Sequence, residues 1–233
     1  MLMQDTATAI IVAAGTSRRM QGQDKLWLPL AGRITLARTI DVFNASPLIE
    51  SIVLVLNAMR IADATALCQR EQWRKVVAIV PGGSRRQDSV CRGLDALVDT
   101  APSSTWVMIH DGARPLVTPA LLETGLKAAR EYGAAIAAVP VKDTIKRVEH
   151  GQVGATLDRG QLWAVQTPQI FSLPLIHNAH HSPVAQNEVT DDAALLELLG
   201  QPVAIFPGAY TNIKITTQED LLVAEAFLQG HVI

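Results

Sequence analysis

Aromatic side chains are scarce: Phe, Trp and Tyr together make up 4% of the 233 residues. An aromatic-rich β-sandwich is therefore not expected, and Ala, Val, Leu and Ile must pack as tightly layered helices and strands. Cysteine is nearly absent. Cys68 and Cys91 cannot build a disulfide framework or a four-cysteine zinc site, and both fall in helical-looking stretches as small buried hydrophobes. Neither sign of charge is in real excess, with 20 basic against 22 acidic residues and a net charge of −2. A polyanion-coating surface is basic, so nucleic acid is not an expected partner. Any nucleotide ligand must be held by a local cationic cluster.

Long apolar runs are also missing. The longest stretch without Asp, Glu, Lys or Arg, Gly160 to Asn187, is broken by prolines and filled with Gln, His, Ser and Asn. It cannot span a bilayer, so no membrane partner is expected. Asp5 stands where a signal peptide would carry Lys or Arg, and the apolar run after it is only strand length. A soluble, cytoplasmic protein is the expectation. The sequence has no G-x-S-x-G elbow, no Walker A Gly-Lys-Ser/Thr and no three-glycine dinucleotide fingerprint. Covalent serine catalysis, P-loop chemistry and dinucleotide binding all lose ground.

What is present is core material: 48% apolar and 18% charged residues rule out disorder. The length allows one large domain or two small ones. Short apolar runs occur at 7–13, 51–56, 76–80, 106–110 and 135–139. They are nearly continuous rather than alternating, as strands buried on both faces of a parallel sheet are. Between them the pattern predicts helices over 35–44, over 84–98 with Ser84 as cap, and over 119–132 with Thr118 as N-cap and Pro119 at the first position. Strand–helix alternation with short links predicts an open α/β sheet. The rhythm breaks after Val139-Pro140, where two strand-like segments flank Glu149-His150-Gly151-Gln152 as a β-hairpin. Such a polar arm packs on another subunit, flanks a site, or is a solvated excursion. A helix opening at Thr190-Asp191-Asp192, a strand over 202–207 and a helix over 218–229 complete one domain plus an arm.

Ligands of open α/β sheets bind beyond the carboxyl ends of strands. The first strand ends in Ala13-Ala14-Gly15-Thr16-Ser17-Arg18-Arg19, with Lys25 shortly after: small residues whose free N–H groups cradle phosphate oxygens, and cations to neutralise them. The third ends in Pro81-Gly82-Gly83-Ser84, a glycine pair entering a helix, suited to a phosphate, a base edge or a plain tight turn. The fourth ends in His110-Asp111-Gly112-Ala113-Arg114. Asp111 is either a Mg2+ ligand, since magnesium takes one or two carboxylates plus phosphate oxygens, or a turn former paired with Arg114. Lys214 sits amid isoleucines, where a charge needs a reason. His177, His180 and His181 have metal-like spacing but no acidic partner nearby in the sequence, so no metal is expected there.

Taken in order, A-A-G-x-x-x-R-M with a following lysine, G-G-x-x-R-x-x-S-V, H-D-x-A-R-P, P-V-x-D-T-x-K, D-R-x-x-L-W-x-x-Q-T-P-Q, T-D-D and N-I-K-I-T resemble the 2-C-methyl-D-erythritol 4-phosphate cytidylyltransferases over nearly the whole chain. The family usually has Gly at Ser17 and Lys-Gln at Lys25-Leu26. The resemblance implies a three-layer, Rossmann-like nucleotidyltransferase fold with a mostly parallel sheet. It also implies a protruding β-arm, inserted at about 139–162 in a single domain, that embraces a second subunit as a homodimer. It further implies a reaction joining CTP to 2-C-methyl-D-erythritol 4-phosphate, with pyrophosphate released, in non-mevalonate isoprenoid synthesis. Arg19 and Lys25 are then expected to stabilise the α-phosphate as it reacts, and Arg159 and Lys214 to grip the erythritol phosphate. Arg114 and Thr144 would line its pocket, Asp111 would hold Mg2+ beside the nucleotide, and Ala13, Ala14, Gly15, Gly82 and Ser89 would contact the nucleotide. The alternatives are a cytidylyltransferase for another polyol phosphate, such as ribitol 5-phosphate, and a nucleotide-binding regulator without catalysis.

Overall fold

The computed structural model describes residues 6–15, 24–100 and 104–230. Its centre is a seven-stranded sheet. In chain order the strands are β1 (Ala7–Ala13), β4 (Ile49–Leu56), β5 (Val76–Pro81), β6 (Trp106–Asp111), β7 (Ala134–Pro140), β10 (Trp163–Ser172) and β11 (Ala204–Pro207). Their spatial order is β11-β7-β10-β6-β1-β4-β5, and all run parallel except β10, which lies antiparallel to both β6 and β7. A two-residue ribbon, β2 (Pro29–Leu30) with β3 (Arg33–Ile34), precedes the first helix.

Helices cover both faces because the strands are apolar on both. Ile11, Ile52 and Leu54 turn to one face, where α1 (Thr35–Ala45), α2 (Ile61–Glu71) and α4 (Pro119–Tyr132) supply Leu36, Phe43, Leu67 and Leu122. Their neighbours Ile10, Val53 and Val55 turn to the other face. There they meet Val90 and Leu94 of α3 (Arg86–Asp99), Ile176 of α5 (Leu173–His181) and Leu195 of α6 (Ala193–Leu198). The period-two alternation thus splits one hydrophobic run into two cores and makes three layers. A last helix, α7 (Gln218–Leu228), packs Leu221 and Ala224 against Leu30 and Ile215.

Local signals placed most boundaries. Thr118 caps α4 by accepting from the Leu121 N–H, with Pro119 at its first position. The α3 helix starts later than Ser84 as cap would require: Arg85 occupies the N-cap, and Asp88 accepts from the Arg85 N–H and the Ser84 hydroxyl. A carboxylate three residues into the helix satisfies the exposed donors better than one hydroxyl can.

The arm is the separate two-stranded ribbon β8 (Lys146–Glu149) and β9 (Gln152–Thr156). His150 and Gly151 at its tip both have positive φ, 50° and 79°, as a two-residue hairpin turn requires. The ribbon β2–β3, helix α5 and strand β10 had no predicted counterpart, and α2 was anticipated only as the helical-looking stretch around Cys68. Strand β10 carries Pro168, which falls in the gap between Val165 and Gln169 where the ladder to β7 is interrupted, so its missing N–H leaves no ladder bond unmade.

Candidate active site

The chain runs outward through β1, β4 and β5 and then returns to place β6 on the other side of β1. That reversal is a topological switch point, and the crevice beyond the strand ends there is where open α/β sheets bind ligands. A cavity of about 650 Å³ occupies it, walled by Ala13, Ala14 and Gly15 after β1, Asn57 after β4, Gly82 and Gly83 after β5, and Asp111 at the end of β6.

Close backbone approach explains the small residues. A Cβ on Gly82 would lie 2.2 Å from the Ala14 Cβ and 2.8 Å from the Ser89 Oγ. Only glycine lets the β1 and β5 loops touch. Ser89 is buried; its hydroxyl donates to the Arg85 carbonyl and accepts from the Gly83 N–H at 3.0 Å, fixing the loop as α3 begins. A Cβ on Gly15 would meet no atom of the described residues within 4 Å.

Cations gather on the opposite wall around one carboxylate. Lys214 Nζ is 2.8 Å from Asp111 Oδ2, Arg86 Nε is 3.5 Å from Oδ1, and Arg114 Nε is 3.6 Å from Oδ2. Burial by itself would push the Asp111 carboxyl up; Lys214 and then Arg86 overcome it and hold the group well below the usual carboxylate range. Arg86 is anchored from behind by Asp192, 2.7 Å away and fully buried. Burial opposes the Arg86 charge, but Asp192 and Asp111 outweigh it and raise its pKa. Lys25 lines the same cavity, while its neighbour Leu26 is buried in the core, 3% exposed.

A second network holds Asp111 in position. Its backbone N–H donates to Thr167 Oγ1, and that hydroxyl donates to His110 Nδ1, both at 3.0 Å. The His110 Nε2–H then donates to the Arg114 carbonyl. Burial lowers the His110 pKa to about 4, so the ring is neutral and serves as a strut. Arg114 itself donates to the Asn212 carbonyl at 2.8 Å, which straps the Lys214 segment to the loop after β6.

The predicted site residues therefore divide into groups. Ala13, Ala14, Gly15, Lys25, Gly82, Ser89, Asp111 and Lys214 all line one cavity. Arg114 stands behind Asp111 rather than among the lining residues, and Asp111 is both a cavity carboxylate and the partner of Arg114. Arg159 and Thr144 are exposed on the arm segment, away from the cavity's lining; Arg159 donates to the Lys142 carbonyl at 2.9 Å. Arg19 lies outside the described residues. Arg86 and Asp192 received no role from the sequence, although the G-G-x-x-R and T-D-D patterns contain them.

A switch-point cavity with glycine-lined walls, cations and one buried carboxylate suits an enzyme of the nucleotidyltransferase class. The profile of the 2-C-methyl-D-erythritol 4-phosphate cytidylyltransferase family matches residues 7–230. Proteins of that name from Dehalococcoides mccartyi and Geobacillus thermodenitrificans are 49% and 48% identical to this chain, covering 98% and 96% of it and 99% and 97% of themselves. The crystal structure of 4-diphosphocytidyl-2C-methyl-D-erythritol synthase from Anaerococcus prevotii is similar with a TM-score of 0.84 at 34% identity, over 97% of this chain and 99% of that one. A Thermus thermophilus cytidylyltransferase of the same family name gives 0.76 at 33% identity, over 96% and 99%. The chain belongs to the 2-C-methyl-D-erythritol 4-phosphate cytidylyltransferase family.

Proposed function

We propose that this enzyme joins CTP to 2-C-methyl-D-erythritol 4-phosphate, giving 4-diphosphocytidyl-2-C-methyl-D-erythritol and pyrophosphate, within non-mevalonate isoprenoid synthesis. A phosphate oxygen of the erythritol substrate attacks the α-phosphorus of CTP; the new P–O bond forms as the bond to the β-phosphate bridging oxygen breaks, and pyrophosphate leaves. The attacking phosphate is already anionic, so no strong base is needed. The barrier lies in bringing two anions together and in the charge that builds on the α-phosphate, and positioning and electrostatics supply the catalysis. The observation that carries this reading is the pairing of Lys25 and Lys214 with glycine-lined walls in one cavity.

Small-residue loops around Ala13, Ala14, Gly15, Gly82 and Ser89 admit the nucleotide, and their backbone groups suit the donor and acceptors of a cytosine edge. Lys25, together with Arg19, stabilises the α-phosphate in the transition state. Lys214 grips the erythritol phosphate, moving from Asp111 to the substrate anion. Asp111 is a hard oxygen donor, kept ionised at the cavity wall, and so fits a divalent cation such as Mg2+. That ion would neutralise triphosphate charge.

The chain forms one domain with the arm as an insertion, and it works as a homodimer. Val148 and Val153 face each other on the arm and are 61% and 64% exposed, with Trp163, Val165 and Tyr210 also exposed near its base. An apolar band of this kind is what a second copy would cover. Arg159 and Thr144, which do not line the cavity of their own chain, then serve the erythritol phosphate in the partner's cavity. Both substrates are multiply charged and water-soluble, which fits a cytoplasmic reaction. No helix among the described residues is long and apolar enough to cross a membrane.

A pyrophosphate-release assay with each nucleoside triphosphate against several polyol phosphates tests this reading. Turnover is expected with CTP and the erythritol phosphate. Equal turnover with ribitol 5-phosphate, or CTP binding without any turnover, would overturn it.

A further inference from the structure

On the side of the molecule formed by α3 and α5, four side chains meet that take no part in the cavity. Cys91 and Asp95 are one turn apart on α3; His177 and His181 are one turn apart on α5. The donor atoms of Cys91, Asp95 and His181 all lie within 4.8 Å of one another. His181 Nε2 is 3.1 Å from Asp95 Oδ1 and 3.9 Å from Cys91 Sγ, and Cys91 Sγ is 4.0 Å from Asp95 Oδ2. His177 Nε2 approaches the same Asp95 Oδ1 at 3.4 Å, with its ring stacked on that of His181 at 4.3 Å.

We propose that Cys91, Asp95, His177 and His181 form a second metal site, for a zinc-class transition-metal ion, that clamps α3 to α5. Metal–ligand bonds of about 2.0–2.3 Å in a tetrahedron put neighbouring donor atoms about 3.3–3.6 Å apart. The separations among Cys91, Asp95 and His181 bracket that range, whereas His177 approaches Asp95 alone and stands outside their 4.8 Å cluster, so it must change rotamer to become the fourth ligand.

The histidine geometry points the same way. His181 Nδ1–H donates to the His177 carbonyl at 2.9 Å, which orients the ring and turns Nε2 towards Asp95 and Cys91. This backbone bond behind the ring is the usual support of a metal-ligating histidine. The 3.1 Å approach of His181 Nε2 to a carboxylate oxygen requires a proton or a metal ion between the two atoms. Among the described residues, the ion-pair partners of Asp95 are these two histidines, with no Lys or Arg competing for it. His180, between them in sequence, instead turns inward to Asp192. Nitrogen and sulfur donors favour zinc or cobalt over magnesium, which separates this site chemically from the Asp111 carboxylate.

The test is a Co2+ titration of the purified, metal-free protein in excess Mg2+, followed by competition with Zn2+. One equivalent of Co2+ is expected to give the strong visible absorption of a tetrahedral ion with a thiolate charge-transfer band in the near ultraviolet. Zn2+ should abolish both and raise the melting temperature. Cys91→Ser should lose the charge-transfer band. His181→Ala should bind Zn2+ at least about 10-fold more weakly. Both variants should turn over CTP as the parent does, which shows that they are folded. Asp111→Asn should leave the cobalt spectrum unchanged. Weak octahedral absorption, a charge-transfer band that survives Cys91→Ser, or unaltered Zn2+ affinity in His181→Ala would each overturn the proposal.

Discussion

Lys214 Nζ rests 2.8 Å from Asp111 Oδ2, so the cation proposed to grip the erythritol phosphate is held on a carboxylate shared with two arginines. The lysine side chain is 39% exposed while that of Asp111 is 8% exposed. Lys214 is therefore the member free to leave. When it does, Arg86 and Arg114 still neutralise Asp111.

The two cavity lysines should fail differently. Lys25→Ala is expected to lower kcat by about 10²–10³-fold with little change in either KM, the usual effect of losing one donor to a transition-state charge. Lys214→Ala should chiefly raise the KM for the erythritol phosphate and spare that for CTP. Steady-state kinetics on both variants decide it. A loss confined to KM in Lys25→Ala would mean that it only binds substrate.

Gly82→Ala should damage nucleotide binding without touching a charge. The added methyl would fall 2.2 Å from the Ala14 Cβ, so the β1 and β5 loops must move apart. A shift near 1 Å at a reacting centre costs about 10²-fold in rate. The expected result is a kcat/KM for CTP lowered by about 10–10²-fold, with a circular dichroism spectrum like that of the parent.

His110 predicts a pH dependence of stability. Its folded pKa, about 4, lies below the ordinary imidazole value, so the unfolded chain binds the extra proton first. The contribution of the neutral ring is complete above about pH 6.5 and falls as pH drops towards 4, by about 2–4 kcal/mol in all. Asp111, with a depressed carboxylate pKa, adds its own loss only below the ordinary carboxylate range. Urea midpoints between about pH 7 and 4.5 should fall for the parent and fall less for His110→Gln. A parent midpoint flat over that range would remove the neutral-strut role.

The sequence made legible whatever depends on local pattern. The five parallel runs, the Thr118 cap and the His150-Gly151 turn each rest on residues within a few positions of one another, and all appear where expected. What it concealed depends on distant pairing. β10 hides because its polar and proline residues oppose a strand reading, and only its place between β6 and β7 makes it one. Arg86 gains meaning from Asp192, 106 positions away. The histidines at 177 and 181 lacked an acidic partner until α5 packed beside α3 and Asp95 reached them.

The position of Arg159 gives the sharpest test of the dimer. Within its own chain this residue sits on the arm and bonds the Lys142 carbonyl, apart from the cavity that holds Lys214. If each active site draws Arg159 from one copy and Lys214 from the other, two variants that are each impaired at erythritol phosphate concentrations well below their KM can complement each other there. Arg159→Ala and Lys214→Ala protomers, mixed under conditions that exchange subunits, form about half heterodimers, in which one site lacks both side chains and the other keeps both. About a quarter of all sites would then be intact, and activity should recover to roughly that fraction of the parent's. If Arg159 served its own chain, every site in the mixture would lack one cation, and the activity would stay at the level of the separate variants. A monomeric mass in sedimentation at micromolar concentration would remove the premise altogether.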